Sequence, residues 1–187
     1  MERIRSFIAI DIDDPSLRKR LEDIEAQLSK LSTRIKIVEP QNLHLTLYFL
    51  GEIPLNILRE VEKILEKIEY QPFRITIEKL GAFPSIYNPR VVWVGVTRGS
   101  EHIEKIYNDL ISQIRTLGFK PDPRGFSPHI TLGRVKSKSR DDLIQFLKEH
   151  QDIYIGSMEV TEIRLKKSVL TSRGPIYSTL YSKKLVA

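Results

Sequence analysis

The sequence contains no cysteine, which removes disulfides, thiolate nucleophiles, iron–sulfur clusters and cysteine-ligated zinc at once. It also lacks any long apolar run. Phe7-Ile8-Ala9-Ile10 and Val91-Val92-Trp93-Val94 are among the longest, far short of the roughly 18 residues of a membrane span. The charged first residues lead into a strand pattern, with no apolar region followed by a small-residue cleavage site; a cytoplasmic protein with no membrane partner is expected. Low-complexity segments and dividing linkers are missing as well. The 187 residues therefore read as one domain, 1–187, large enough to bury its own core. Methionine is scarce, with only two residues, while Ile, Glu, Lys and Arg are abundant, a balance that leans toward a thermophilic source.

What is present is ordinary for a globular chain, with 41% hydrophobic and 29% charged residues, and this argues against extended disorder. The formal net charge of +6 permits binding to polyanions, RNA among them, without requiring it.

Hydrophobic periodicity sets out the elements. Residues 3–11 read as a central strand. Asp13-Asp14-Pro15 starts a helix in which Leu17, Leu21, Ile24, Leu28 and Leu31 recur at helical spacing. Residues 35–38 form a short strand, Pro40-Gln41-Asn42 a turn, and 43–50 a strand ended by Gly51-Glu52. Pro54 opens a second helix, 73–80 is a strand, 81–89 a loop and 90–96 a strongly apolar strand. A third helix covers 100–117 with Gly118 as its stop. A loop over 121–128 delivers a strand at 129–135, followed by a helix at 141–150. Strands at 153–155, 160–165 and 177–185 finish the chain, the last two separated by a turn at 172–175. Helices between successive strands, with additional antiparallel strands, predict an α+β protein.

One pattern occurs twice. His44-Leu45-Thr46-Leu47 is matched by His129-Ile130-Thr131-Leu132, and alternation along a strand puts each histidine and threonine on one face and the aliphatic residues on the other. A single His-x-Thr triplet is ordinary strand sequence; its recurrence with similar flanks, once in each half, points to a duplicated two-lobed sheet around a shared cleft. Two imidazoles facing one cleft can divide general-acid and general-base work, one starting charged and the other neutral. Thr46 and Thr131 can donate hydrogen bonds to the non-bridging oxygens of a phosphate between them. Neither motif carries the carboxylates or close additional ligands of a metal site, so no metal and no cofactor are expected. From the residues alone, either histidine could be the acid.

These motifs resemble those of the 2H phosphoesterase superfamily, and within it the RNA 2′,3′-cyclic phosphodiesterases formerly called 2′-5′ RNA ligases. The resemblance extends over Arg5-Ser6-Phe7-Ile8-Ala9-Ile10, Leu50-Gly51-Glu52, residues 89–95 and Ser127-Pro128. It implies a pseudo-symmetric pair of intertwined α+β lobes, antiparallel sheets with flanking helices around a central cleft. It also implies metal-independent hydrolysis of 2′,3′-cyclic phosphate RNA ends to 2′-phosphates. His44 would be the proton donor to the 3′ oxygen and His129 the base that activates water, with Thr46, Thr131 and Arg134 holding the phosphate. The implied partners are RNA ends, tRNA halves among them, or small cyclic nucleotides, with the protein a monomer. Reversible ATP-independent 2′-5′ ligation would be the same chemistry with a ribose hydroxyl in place of water. Strict alternation places Arg134 on the face opposite His129, so reaching the cleft requires a bulge near Gly133 or an approach from the rim.

Softer substrate contacts are Tyr48, which shares the parity of His44, the loop aromatics Phe83, Tyr87 and Phe126, and the cations Arg90 and Arg124. His102 and His150 sit at helix ends, where capping or exposure is the ordinary role. A non-catalytic RNA-end module is the rival reading, opposed by the two histidines, since Lys or Arg would suffice for binding. A dedicated 2′-5′ tRNA-half ligase is another; no Lys-x-Asp-Gly and no Gly-x-x-x-x-Gly-Lys is present for ATP chemistry.

Overall fold

The structure is a computed structural model describing residues 1–187. Its strands are β1 (Arg3–Asp11), β2 (Ile35–Ile37), β3 (His44–Pro54), β4 (Phe73–Ser85), β5 (Asn88–Val96), β6 (His129–Val135), β7 (Tyr154–Val160), β8 (Glu162–Thr171) and β9 (Gly174–Lys184). The helices are α1 (Pro15–Ser29), α2 (Leu55–Glu66), α3 (Ser100–Ile114) and α4 (Asp141–Glu149). All strands join one sheet in the order β7-β4-β5-β6-β3-β1-β8-β9, with β2 paired to β6 off this path. Every pairing is antiparallel, and with four flanking helices the fold is α+β. Outward from its centre, β3 is followed by β1, β8 and β9, and β6 by β5, β4 and β7.

The helices form where the sequence gives them a buried stripe and a start. Asp14 caps α1 by accepting from the Leu17 backbone N–H at 2.9 Å, with Pro15 in the first turn. Leu17, Leu21, Ile24 and Leu28 of α1 are buried together with Val61 and Leu65 of α2, Ile103, Ile106 and Leu110 of α3, and Leu143 and Leu147 of α4. Leu45 and Leu47 of β3 and Ile130 and Leu132 of β6 enter the same core. Each such side chain contributes about 1.5–3 kcal/mol by leaving water. The opposite face of β3 and β6 is thereby left to the polar residues that alternate with them.

Expected boundaries change in three regions. β3 does not end at Gly51-Glu52. Gly51 takes φ +77 and Leu50 is skipped in the pairing with β1, so a bulge carries the strand on to Pro54. The expected loop 81–89 is mostly strand: β4 continues to Ser85 and turns through Ile86-Tyr87 into β5. Gly81 is not a breaker, because it pairs with Trp93 and its missing side chain leaves room for the indole, which a Cβ there would meet at 2.5 Å. At the C-terminal end, β7 runs through Gly156 to Val160 against β4, and β8 and β9 pair as far as Leu170–Pro175 and Thr171–Gly174. The last turn is correspondingly tight.

Candidate active site

β3 and β6 meet at one residue pair, Leu45 opposite Ile130. Continuing the antiparallel count sets Thr46 across from His129 and Thr131 across from His44. Beyond that rung β6 takes β2 as its neighbour, through Ile37–Gly133, Lys36–Arg134 and Ile35–Val135. The sheet parts there, and a cleft of about 390 Å³ opens, lined by both histidines and both threonines.

The two imidazoles are held alike. His44 Nδ1 lies 2.6 Å from the Asn42 carbonyl and His129 Nδ1 2.7 Å from the Ser127 carbonyl. A carbonyl only accepts, so each Nδ1 carries the proton and each Nε2 is left for chemistry. His44 Nε2 is 2.8 Å from Thr46 Oγ1: the neutral ring accepts from that hydroxyl, and the protonated ring donates to its oxygen and leaves the Thr46 proton for another acceptor. His129 Nε2 makes no hydrogen bond within the protein. Aromatic rings fix both imidazoles laterally: Phe7 and Tyr177 stand 5.0 and 5.4 Å from His44, and Phe83 stands 4.9 Å from His129.

Burial pulls both histidines below their ordinary value of 6.5. Their charged neighbours differ. Asp11, the cross-strand partner of His44, favours the imidazolium there, opposed by Lys166, whose Nζ donates to Asp11 at 2.7 Å. Beside His129 the nearby cation is Arg134, which disfavours its charge.

Arg134 reaches the cleft. Val92 of β5 pairs with Gly133, but Trp93 pairs with Thr131. Leu132 is thus an extra residue, and it and Gly133 are both buried, so the bulge shifts Arg134 onto the face of His129. Only glycine fits at 133, where a Cβ would come within 2.7 Å of Ile35. In β3, Leu47 is likewise skipped in the pairing with β1, and Phe49 occupies the position matching Arg134. The duplicated motif thus presents an arginine on one side and a phenylalanine on the other.

Several cleft residues have no role in the sequence reading. Arg5, Lys36, Lys136 and Arg173 line the cleft with Arg134. None of these five is in an ion pair, and Glu39 is the one carboxylate in the lining. Like charges directly across a sheet, as at Lys36 and Arg134, repel each other; an anion between them turns that cost into attraction. The alternation Arg5, Phe7, Asp11 along β1 was the available sign.

The softer contacts scatter. Phe83 belongs to β4, not to a loop, and packs against His129 and Trp93. Arg90 is exposed on β5 and lines neither the cleft nor the chamber next to it. Tyr48 and Phe126 line that neighbouring chamber. Tyr87 is exposed at the β4–β5 turn, under Lys148, and Arg124 is exposed and paired with Asp122 at 3.2 Å. His102 lies 2.8 Å from the Tyr70 hydroxyl, and His150 stacks on Phe146; neither lines the cleft. No group of three or more His, Asp or Glu is assembled as metal ligands.

Comparison with known proteins adds to this geometry. The family model described as LigT-like phosphoesterase matches twice, over residues 10–93 and 94–177, and each match holds one histidine motif. An RNA 2′,3′-cyclic phosphodiesterase of Archaeoglobus fulgidus is 41% identical over 177 residues, 95% of this chain and 98% of that one. One of Aeropyrum pernix is 40% identical over 88% of this chain and 94% of its own. Among solved structures, Escherichia coli LigT in apo form superposes with a TM-score of 0.80 at 27% identity, covering both chains fully. The same protein complexed with 3′-AMP gives 0.78.

Proposed function

The chain belongs to the LigT-like phosphoesterase family, and from that premise we propose how it acts as an RNA 2′,3′-cyclic phosphodiesterase. The cyclic phosphate sits between His44 and His129. His129 Nε2 takes a proton from water, the water oxygen bonds to phosphorus, and the bond from phosphorus to O3′ breaks as His44 Nε2 delivers its proton to that oxygen. The product carries a 2′-phosphate and a free 3′-hydroxyl. Thr46 and Thr131 donate to the non-bridging oxygens, and Arg134 neutralises the charge that gathers on them in the transition state. No step calls on a metal.

The observation carrying this reading is the pair of Nε2 atoms aimed into one cleft, each fixed by an Nδ1–carbonyl bond, beside an unpaired arginine. Charge supports the division of labour, with a carboxylate beside His44 and a guanidinium beside His129. In the test, a short RNA ending in a 2′,3′-cyclic phosphate is incubated with the protein in EDTA, and 2′- and 3′-phosphate products are resolved. A 2′-phosphate is expected. A 3′-phosphate would reverse the leaving and retained oxygens, and loss of turnover in chelator would overturn metal independence.

The depressed histidines also set a pH profile. The maximum of kcat/KM lies midway between the free-enzyme values of acid and base, and both are pulled below 6.5, so that maximum falls on the acid side of 6.5. A bound phosphate anion favours both imidazolium forms, and the maximum of kcat lies higher. Profiles of both constants check this; a kcat/KM maximum above pH 7 contradicts it.

The same chemistry accepts an alcohol in place of water. A 5′-hydroxyl attacking the cyclic phosphate gives a 2′-5′ diester with no ATP, at an equilibrium set by ring strain and concentration.

A further inference from the structure

Displacement in line at phosphorus puts the nucleophile opposite the leaving oxygen. With His44 on the side of O3′, as read above, the nucleophile enters on the side of His129. A second chamber of about 610 Å³ borders the cleft there, sharing Thr46, Phe49 and His129 with it. A single water molecule fills only a small part of this space.

We propose that this chamber is an acceptor subsite for a nucleoside presenting its 5′-hydroxyl to His129. The inference rests on the catalytic reading above and extends it to the second substrate. Three features define the occupant. The first concerns charge: the cleft holds five cations that are in no ion pair, Arg5 among them with its guanidinium 4.7 Å over the Phe49 ring, fit for the phosphates of an RNA chain, whereas the chamber has Lys120 and Arg124, the latter already bound to Asp122. It suits a group with little charge. The second is aromatic. Phe126 is half-buried and stacked on Tyr107 at 4.1 Å with planes 11° apart, and Tyr107 is 9% exposed. The pair forms a supported platform on which a base can lie, and Phe49, 49% exposed, stands at the boundary with the cleft.

The third feature is rigidity. The Tyr48 hydroxyl donates to the Lys120 carbonyl at 2.6 Å, and Phe119 packs edge-on against the Tyr48 ring. The loop over 118–128 is thereby fastened to β3, so the chamber is formed before a ligand arrives, which lowers the ordering cost of binding. By the motif symmetry, this chamber corresponds to the Lys36–Arg134 side of the cleft, and Phe49 stands where Arg134 does. One side is built for anions and the other for a ring.

The step balances. The 5′-hydroxyl proton passes to His129 Nε2, O5′ bonds to phosphorus, the bond to O3′ breaks, and O3′ takes the His44 proton. The product is a 2′-5′ diester with a free 3′-hydroxyl.

The experiment measures partition of one cyclic-phosphate RNA between 2′-phosphate and 2′-5′ transfer product as adenosine concentration rises, with ethanol as a control alcohol. For the native protein, transfer to adenosine saturates and exceeds that to ethanol at least tenfold at equal concentration. Phe126→Ala lowers the partition toward adenosine about tenfold, and Phe126→Tyr, which keeps the ring and the loop packing, restores it. Transfer that rises linearly and equally for both alcohols overturns the subsite, as does transfer to adenosine that stays undetectable while hydrolysis proceeds. A partition unchanged in Phe126→Ala overturns the role of the platform. Failure to open the cyclic phosphate at all would instead remove the catalytic reading beneath it.

Discussion

His44→Ala and His129→Ala will each slow opening of a cyclic-phosphate RNA end by about 10²–10⁴-fold, the usual contribution of one positioned proton transfer. The double variant will be little worse than the poorer single one, because in the proposed mechanism the two groups act in one concerted step and such losses do not add. Both side chains lie in a cleft outside the continuous apolar core, so melting temperatures should move by a few degrees only. His44 packs between Phe7 and Tyr177, and Gln at 44 is the safer control for packing. Single-turnover rates with thermal melts decide it. A variant retaining near-native turnover would remove that histidine from the mechanism.

The second large effect concerns stability. Glu25 lies on the buried face of α1, 3% exposed, with neither carboxylate oxygen hydrogen-bonded. Burial, with Glu22 and Glu39 nearby, pushes its carboxyl up from 4.5 to about 8. The folded chain therefore holds this proton more tightly than the unfolded chain. The associated stability is complete below pH 4.5 and is lost as pH rises through about 8. The cleft histidines, whose folded values are depressed, work in the opposite sense, losing stability as pH falls through theirs. The difference between variants isolates the carboxyl: the stability of Glu25→Gln relative to the native chain should grow by about 3 kcal/mol from pH 5 to pH 8. Urea unfolding at the two pH values measures it, and a pH-independent gap would mean that the carboxyl is hydrated after all. Glu25→Leu, similar in volume and without an orphaned polar group, should stabilise at both.

The histidine motifs and most elements could be read in the sequence because period-2 and period-3.6 patterns are local. What could not be read depended on neighbours. Gly81 and Gly51 look alike as punctuation, yet one accommodates the Trp93 ring and the other forms a bulge, and each keeps a strand going. Alternation put Arg134 on the opposite face and left a bulge near Gly133 or the rim as its two routes to the cleft; the pairing with β5, which skips Leu132, selects the bulge. Glu25 was legible in principle, four residues after Leu21 and three before Leu28 on the apolar stripe. The cleft cations come from β1, β2, β6 and the residue after it, and the β8–β9 turn, which only the sheet order brings together. Arg90, offered as a contact on charge alone, lies outside it.

β1 carries Asp11, the cross-strand neighbour of His44, but its other edge is covered by β8, and Asp11 bonds Lys166, 155 residues away. During synthesis, therefore, the first histidine wall has both its strands on the emerged chain long before the element that completes it. A ribosome must finish β8 before the Asp11 charge is matched and β9 before Tyr177 closes on His44. The nascent chain waits with an open sheet edge, the condition in which long-range pairing makes folding slow. Stop codons placed before Glu162, which delete the β8–β9 hairpin, should consequently yield protein with both histidines and no function.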